Sequence, residues 1–309
     1  MTRIAIIDLG TNTFNLLIVE ANADKKYKTI YQTKIAVKLG EGGINKGFIA
    51  PIPFQRGVDA IKEYKKIIEE HKVEKTIAIA TSAVRDADNG KEFAEKIKQE
   101  SNIDVKIISG DKEAELIYRG VKDGVSMIYK PALIIDIGGG STEFIIANDS
   151  EIFWKHSFQL GAARLLEKIN PSDPITDKEI QELIDYLKQE LKPLFAAVQK
   201  YPIVEIIGSS GSFDSLSEMI ALRFYSADLL KNKTEYTFHL QDFNTLYEII
   251  LKSTTAERMQ MKGLIAMRVD MIVVSAILLN FIIQTLSVQK MRSSIYSLKE
   301  VVLHELLHN

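Results

Sequence analysis

The chain has 309 residues, 46% hydrophobic and 26% charged, with 39 basic against 41 acidic side chains and no cysteine. That length predicts two domains, the composition excludes a disordered or collagen-like chain, and the absence of cysteine excludes disulfides, zinc-thiolate sites and a thiol nucleophile. A net charge of -2 gives no global pull toward DNA, RNA or an anionic membrane, so a polyanion would have to be held by local chemistry.

Short β-branched runs alternate with helical patterns, which predicts an α/β architecture. Ile4–Ile7 and Leu16–Glu20 flank a polar Gly-Thr-Asn-Thr turn and read as a hairpin. Ile4–Ile7 stops at Asp8, too short for a secretory signal. Thr29–Leu39 reads as extended and is followed by a loose loop, Gly40–Gly43. Apolar residues from Pro53 to His71 recur at helical spacing; strand Thr76–Ala80, a helix near Gly90–Glu100 and strand Val105–Ile108 follow. Asp111 is placed to cap a helix running through Tyr118.

A second cycle starts at Ala132–Ile135. Asp136-Ile137-Gly138-Gly139-Gly140-Ser141-Thr142-Glu143 repeats the pattern of Asp8-Leu9-Gly10-Thr11-Asn12-Thr13, with an apolar strand on either side of each. Asp8 and Asp136 lie 128 residues apart, which predicts two related domains rather than a short-period solenoid. We place the division between Gly120 and Pro131, giving domains 1–124 and 125–309. Helices are expected around Leu160–Asn170 and Asp177–Val198, then strand Ile203–Ile207, a turn at Gly208–Ser212 and a mainly helical C-terminal third. Met271–Val288 approaches membrane-spanning length, yet it contains Ser275, Asn280, Gln284, Thr285 and Ser287 and follows Arg268 and Asp270. A buried core helix fits it better, and the expectation is a soluble, cytoplasmic protein without a membrane partner.

The repeated Asp-x-Gly turns bring phosphate chemistry into view. Glycine lets backbone amides approach a phosphate closely, and an Asp at each strand end suits a hydrated divalent cation. Two such hairpins facing each other would clamp a phosphate chain from both sides. A single Asp-Gly turn would more often just close a hairpin; the duplication and the triple glycine shift the reading toward function.

Together with Ala80-Thr81-Ser82-Ala83-Val84-Arg85-Asp86-Ala87, Ile108-Ser109-Gly110-Asp111-Lys112-Glu113-Ala114-Glu115 and Leu160-Gly161-Ala162-Ala163-Arg164-Leu165, these turns make the chain resemble the exopolyphosphatase and guanosine-pentaphosphate phosphohydrolase family. That family is a branch of the actin, sugar kinase and chaperone ATPase fold. The resemblance implies two actin-like (ribonuclease H-like) α/β domains with a phosphate-binding cleft between them. It implies Mg²⁺ or another divalent cation at Asp8 and Asp136. Gly10, Thr11, Asn12 and Thr13 would form one phosphate loop, and Gly138, Gly139, Gly140, Ser141 and Thr142 the other. Glu113 would be the catalytic carboxylate that orients or activates water, Glu143 a second carboxylate, and Arg85 the group facing the transferred phosphoryl. Glu113 falls in the first turn of a helix, where the macrodipole favours the charged carboxylate and so a water-orienting role. Gly208, Ser209, Ser210 and Gly211 match a glycine turn of the second domain.

The chain departs from the family at Lys112 and Glu115, and at Ser293-Ser294-Ile295-Tyr296-Ser297-Leu298-Lys299-Glu300, where relatives read Ser-Asp-x-x-Leu-Arg-Glu. Longer members continue into a helical domain, so a polyphosphate channel would be shorter or built by a dimer. His304-Glu305-Leu306-Leu307-His308 matches a zinc-protease helix, but a catalytic zinc needs a third ligand, and none follows at the usual place. Trp154 and Met259, Met261, Met267 and Met271 read as packing, and Lys62, Lys65, Lys66, Lys72 and Lys75 as solvated surface.

The expected activity is release of the terminal phosphate of inorganic polyphosphate by Mg²⁺-assisted attack of water, and the resemblance implies a homodimer.

 The partners expected are inorganic polyphosphate or guanosine pentaphosphate and a second copy of the chain, with no DNA or RNA. Guanosine pentaphosphate hydrolysis is the neighbouring alternative. Phosphoryl transfer from ATP, as in the sugar and acetate kinases of the same fold, is a different enzyme class. A low-turnover polyphosphate or nucleotide sensor is the non-enzyme alternative, motivated by the departures at Lys112, Glu115 and Ser293–Ser294.

Overall fold

A computed structural model describes residues 1–296 and 298–308. The chain divides into two compact units, one formed by Met1–Leu116 with Leu298–Asn309, the other by Ile117–Ser297.

The first unit contains strands β1 (Thr2–Leu9), β2 (Thr13–Ala21) and β3 (Tyr27–Ala36), helix α1 (Pro51–Glu70), strand β4 (Lys75–Ala80), helices α2 (Ser82–Arg85) and α3 (Gly90–Ser101), strand β5 (Val105–Ile107) and the start of helix α4 (Gly110–Gly124). The sheet order is β3-β2-β1-β4-β5; β1 pairs antiparallel with β2 and parallel with β4. Because both faces of β1 are buried, its sequence is a continuous apolar run rather than an alternating one. Ala5, Ile7 and Leu9 pack toward a core shared with α1 and α3, while Ile4 and Ile6 face a second cluster.

That second cluster explains why the last segment belongs here. A terminal helix, Leu298–His308, brings Leu298, Val301, Val302 and Leu303 against Ile4, Ile6, Leu17, Val19 and Ile79. Without it this sheet face would expose large aliphatic side chains to water. The expected split at residue 124 therefore differs from the observed division in two ways. The terminal helix joins the first unit, and the division falls inside α4, between Leu116 and Ile117.

The second unit contains strands β6 (Ala132–Ile137), β7 (Thr142–Ala147) and β8 (Ile152–Phe158), helices α5 (Ala162–Ile169), α6 (Asp177–Glu190) and α7 (Lys192–Lys200), strand β9 (Ile206–Ser209), helix α8 (Ser210–Phe224), strand β10 (Glu235–Phe238), helices α9 (Leu240–Lys252), α10 (Thr255–Met259) and α11 (Met271–Leu286), and strand β11 (Met291–Ser294). Its sheet order, β10-β11-β9-β6-β7-β8, contains the five-strand order of the first unit with β10 added at one edge. The sequence repeat is thus a repeat of topology.

Several local expectations change. The cap of α4 is Ser109, whose Oγ accepts the Lys112 amide at 3.2 Å, and Asp111 lies inside the first turn. The single helix expected over Asp177–Val198 is two, because Pro193 has no amide to continue the ladder. Strands β10 and β11 interrupt the expected helical third. Of the four methionines read as packing, Met259 is exposed. Helix α11 is buried along most of its length, and among the described residues no helix is long and apolar enough to cross a membrane.

Candidate active site

In each sheet the parallel strands end at loops that carry the residues of interest, which is where open α/β sheets bind ligands. Strand β1 leads into Gly10–Thr13, β4 into α2 and β5 into α4; the registers Leu9↔Ala80 and Ala80↔Ile107 put these ends side by side. In the second unit β6 leads into Gly138–Ser141 and β9 into α8, with Asp136↔Ser209 in register.

The two hairpin turns have the same closing bond. Gly10 N–H donates to the Thr13 carbonyl at 3.1 Å, and Gly138 N–H to the Ser141 carbonyl at 3.0 Å. In the first turn the carbonyls are held from one side. Asn12 C=O accepts from the Val37 and Lys38 amides at 2.9 and 2.8 Å, and Thr11 C=O from Gly40 at 3.3 Å. A trans peptide plane points its C=O and N–H in opposite directions, so the Asn12 and Thr13 amides face away from that loop. The loop itself is tied down by Arg56, which donates to the Val37 carbonyl, to the Lys38 carbonyl at 3.0 Å and to the Glu41 carboxylate at 2.7 Å.

Asp8 and Asp136 occupy the same place in the two repeats. The Asn15 amide donates to Asp8 at 3.2 Å, whereas the residue across from Asp136 is Glu143. Burial pushes the Asp8 carboxyl up to about 6, opposed by the charge of Lys299 and the Asn15 hydrogen bond. Burial and then the charge of Glu143 push Asp136 up to about 8, opposed by hydrogen bonds with Ser210 and Ser209. Ser210 takes a left-handed φ of 68° to make its turn between β9 and α8. Glu143 is only 1% exposed, and its Oε1 accepts from Ser157 Oγ at 2.6 Å, so it is not a solvent-facing strand residue.

These donors are hard oxygens that suit Mg²⁺. Buried carboxyls held above their ordinary range would be relieved by a cation. Among the described residues no group of three or more His, Asp or Glu forms a protein cage. Within either unit the donor set fits a cation held by that unit's own carboxylates, with water or phosphate oxygens completing its sphere.

Arg85 and Glu113 meet, although they are 28 residues apart: Nη1 donates to Oε2 at 2.7 Å. Arg85 Nε also donates to Asp86 at 3.1 Å, and Ser82 holds the other oxygen of Asp86 at 2.9 Å. The guanidinium and the carboxylate are each largely buried, at 17% and 10% side-chain exposure, unlike a solvated surface pair. Lys112, beside Glu113, pairs with Glu305 of the terminal helix at 3.2 Å.

Other expected site residues have structural partners. Thr142 is fully buried and its hydroxyl donates to the Leu160 carbonyl at 2.9 Å, so the second turn proper ends at Ser141. Gly208 and Ser209 are the end of β9 rather than a free turn. A Cβ on Gly208 would lie 1.9 Å from the Phe213 ring, and one on Gly211 1.4 Å from the Arg268 guanidinium. In the zinc-protease pattern His304 is exposed and Glu305 is engaged by Lys112, while the His308 side chain and Ser297 lie outside the described residues. Sequence reasoning missed Asn15 and Arg56. The repeat offset that pairs Asp8 with Asp136 also pairs Asn15 with Glu143 and could have found the first; nothing local signals the second.

The sequence matches the Ppx/GppA phosphatase family over residues 17–309. A solved structure of an exopolyphosphatase from Cytophaga hutchinsonii is 41% identical and superposes with a TM-score of 0.94, covering 99% of this chain and 98% of that one. A bifunctional 3-dehydroquinate synthase/phosphatase from Fusobacterium nucleatum is 31% identical over 90% of this chain, which spans 43% of that protein. Exopolyphosphatase 1 of Mycobacterium tuberculosis is 26% identical over 96% of this chain and 86% of its own length. With its two matching sheets and paired glycine turns, this chain belongs to the Ppx/GppA phosphatase family and has its two-domain, actin-like α/β fold.

Proposed function

We propose that the protein is an exopolyphosphatase, hydrolysing the terminal phosphoanhydride of inorganic polyphosphate. The observation that carries the reading is the Arg85–Glu113 pair at 2.7 Å, in the same unit as the Asp8 turn. Its 41% identity with an exopolyphosphatase over nearly its full length supports the choice of substrate.

Phosphoryl transfer to water needs little covalent chemistry from the protein. It needs an in-line water and positive charge on the equatorial oxygens. Glu113 accepts a hydrogen bond from the attacking water and orients it toward the terminal phosphorus. The oxygen–phosphorus bond to water forms as the bridging P–O bond breaks, and inorganic phosphate and a chain one unit shorter are released. Arg85 donates to the equatorial oxygens while Asp86 keeps its guanidinium plane in place. Each unit offers phosphate-facing backbone amides of its own, Gly10–Thr13 in the first and Gly138–Ser141 in the second, where Glu143 holds Ser157 beside the turn. A divalent cation at Asp8 or at Asp136, once bound, would neutralise part of the phosphate charge.

The test is phosphate release by purified protein with Mg²⁺ and, separately, long polyphosphate, guanosine pentaphosphate or ATP. Polyphosphate should be cleaved fastest. Release from guanosine pentaphosphate alone would transfer the reading to that substrate, and release from neither would refute it. Glu113→Gln should lower kcat by roughly 10²–10⁴; unchanged turnover would remove Glu113 from its role.

A further inference from the structure

We propose that Arg164 is a positioning residue that sets the direction of the backbone amides in the second glycine turn. The proposal rests on the reading of that turn as a phosphate site. The first amides of a helix have no partners within it. In α5 they are spent on the turn: Ala162 N–H donates to Gly138 C=O at 2.8 Å, and Ala163 and Arg164 N–H to Gly139 C=O at 2.8 and 3.2 Å. The helix approaches this closely only because residue 161 is glycine, since a Cβ there would lie 2.4 Å from the Gly139 carbonyl.

The next carbonyl, that of Gly140, is taken by a side chain. Arg164 Nε donates to it at 3.0 Å. The peptide bonds here are trans, so each carbonyl held toward α5 turns the following N–H the other way. Gly139, Gly140 and Ser141 thus present three successive amides on the face away from the helix, and the last of them depends on Arg164. Successive amides on one side of a turn are a recurrent anion-binding arrangement.

The placement is costly for a residue that merely fills space. Arg164 is 7% exposed, and an aliphatic side chain of the same length would avoid desolvating a guanidinium. Its Nε–H points from a rigid planar group, so the contact fixes a direction as well as a distance.

Two variants test this: Arg164→Met, which keeps the stem and loses the donor, and Arg164→Lys, which keeps the charge and loses the planar N–H. Two measurements are made on each, KM and kcat for phosphate release from polyphosphate, and the Kd for imidotriphosphate by calorimetry. The expected result is a tenfold or greater rise in KM and Kd for Arg164→Met, a smaller rise for Arg164→Lys, and a modest change in kcat. A purely structural role would lower the active fraction, and hence kcat, with KM and Kd unchanged; that result overturns the proposal. If Arg164→Met does not fold, Arg164→Lys decides by the same criterion. Wild-type protein that binds imidotriphosphate without releasing phosphate from polyphosphate would refute the hydrolase reading and leave the binding comparison to judge Arg164. Wild-type protein that does not bind imidotriphosphate would overturn the proposal itself.

Discussion

Replacing Asp136 with asparagine should stabilise the metal-free protein at pH 8, and the gain should shrink toward pH 5. Burial and the neighbouring Glu143 raise this carboxyl from 3.8 to about 8. Between those values the native state keeps a proton that the unfolded chain has released, so wild-type stability falls as pH rises through the window. Well below pH 3.8 both states are protonated and the penalty vanishes. At roughly 1.4 kcal/mol per pH unit, it grows to about 5 kcal/mol at pH 8, of which only a minor part is already present at pH 5. Asparagine carries no proton to lose, and its side-chain oxygen can still accept from Ser209 and Ser210. The stability difference between variant and wild type should therefore widen by roughly 4 kcal/mol from pH 5 to pH 8. Urea denaturation in EDTA measures it, followed by fluorescence of the single tryptophan, Trp154, which lies in the same unit. A difference independent of pH, or one that narrows as pH rises, would refute the argument.

Three further substitutions probe other parts of the structure. Gly161→Ala should destabilise the second unit by several kcal/mol and abolish phosphate release, because its Cβ would press on the Gly139 carbonyl at 2.4 Å; Trp154 fluorescence reads the first effect. Arg56→Met should release the Val37–Glu41 loop from the first turn and raise KM for polyphosphate, with steady-state kinetics as the check. Arg292→Met should cost about 3 kcal/mol in urea denaturation, because Glu205, 1% exposed, would lose its buried arginine partner and keep the half-exposed Lys290.

Local patterns carried the parts of the fold that are local in origin. Both hairpins, their glycine turns and helices α1 and α3 follow from apolar spacing and turn chemistry within short windows. The duplicated Asp-x-Gly unit predicted two related domains, and the two sheets repeat one strand order. Resemblance supplied Arg85 and Glu113 as candidates, and the structure brought them together.

Other features depend on pairings that no short window contains. Arg292 meets Glu205 across 87 positions, and Lys112 meets Glu305 across 193. Arg56 reaches a loop on which the first turn rests, and the terminal helix returns to cover the first sheet. Whether Glu143 faced solvent or core depended on the strand and helices packed around it. The sequence by itself determined where chain reversals and phosphate-shaped turns occur, because glycine, aspartate and apolar period act over a few residues. Tertiary structure alone decided which carbonyls those turns surrender to a helix or an arginine, because peptide-plane direction is set by partners far away in the chain.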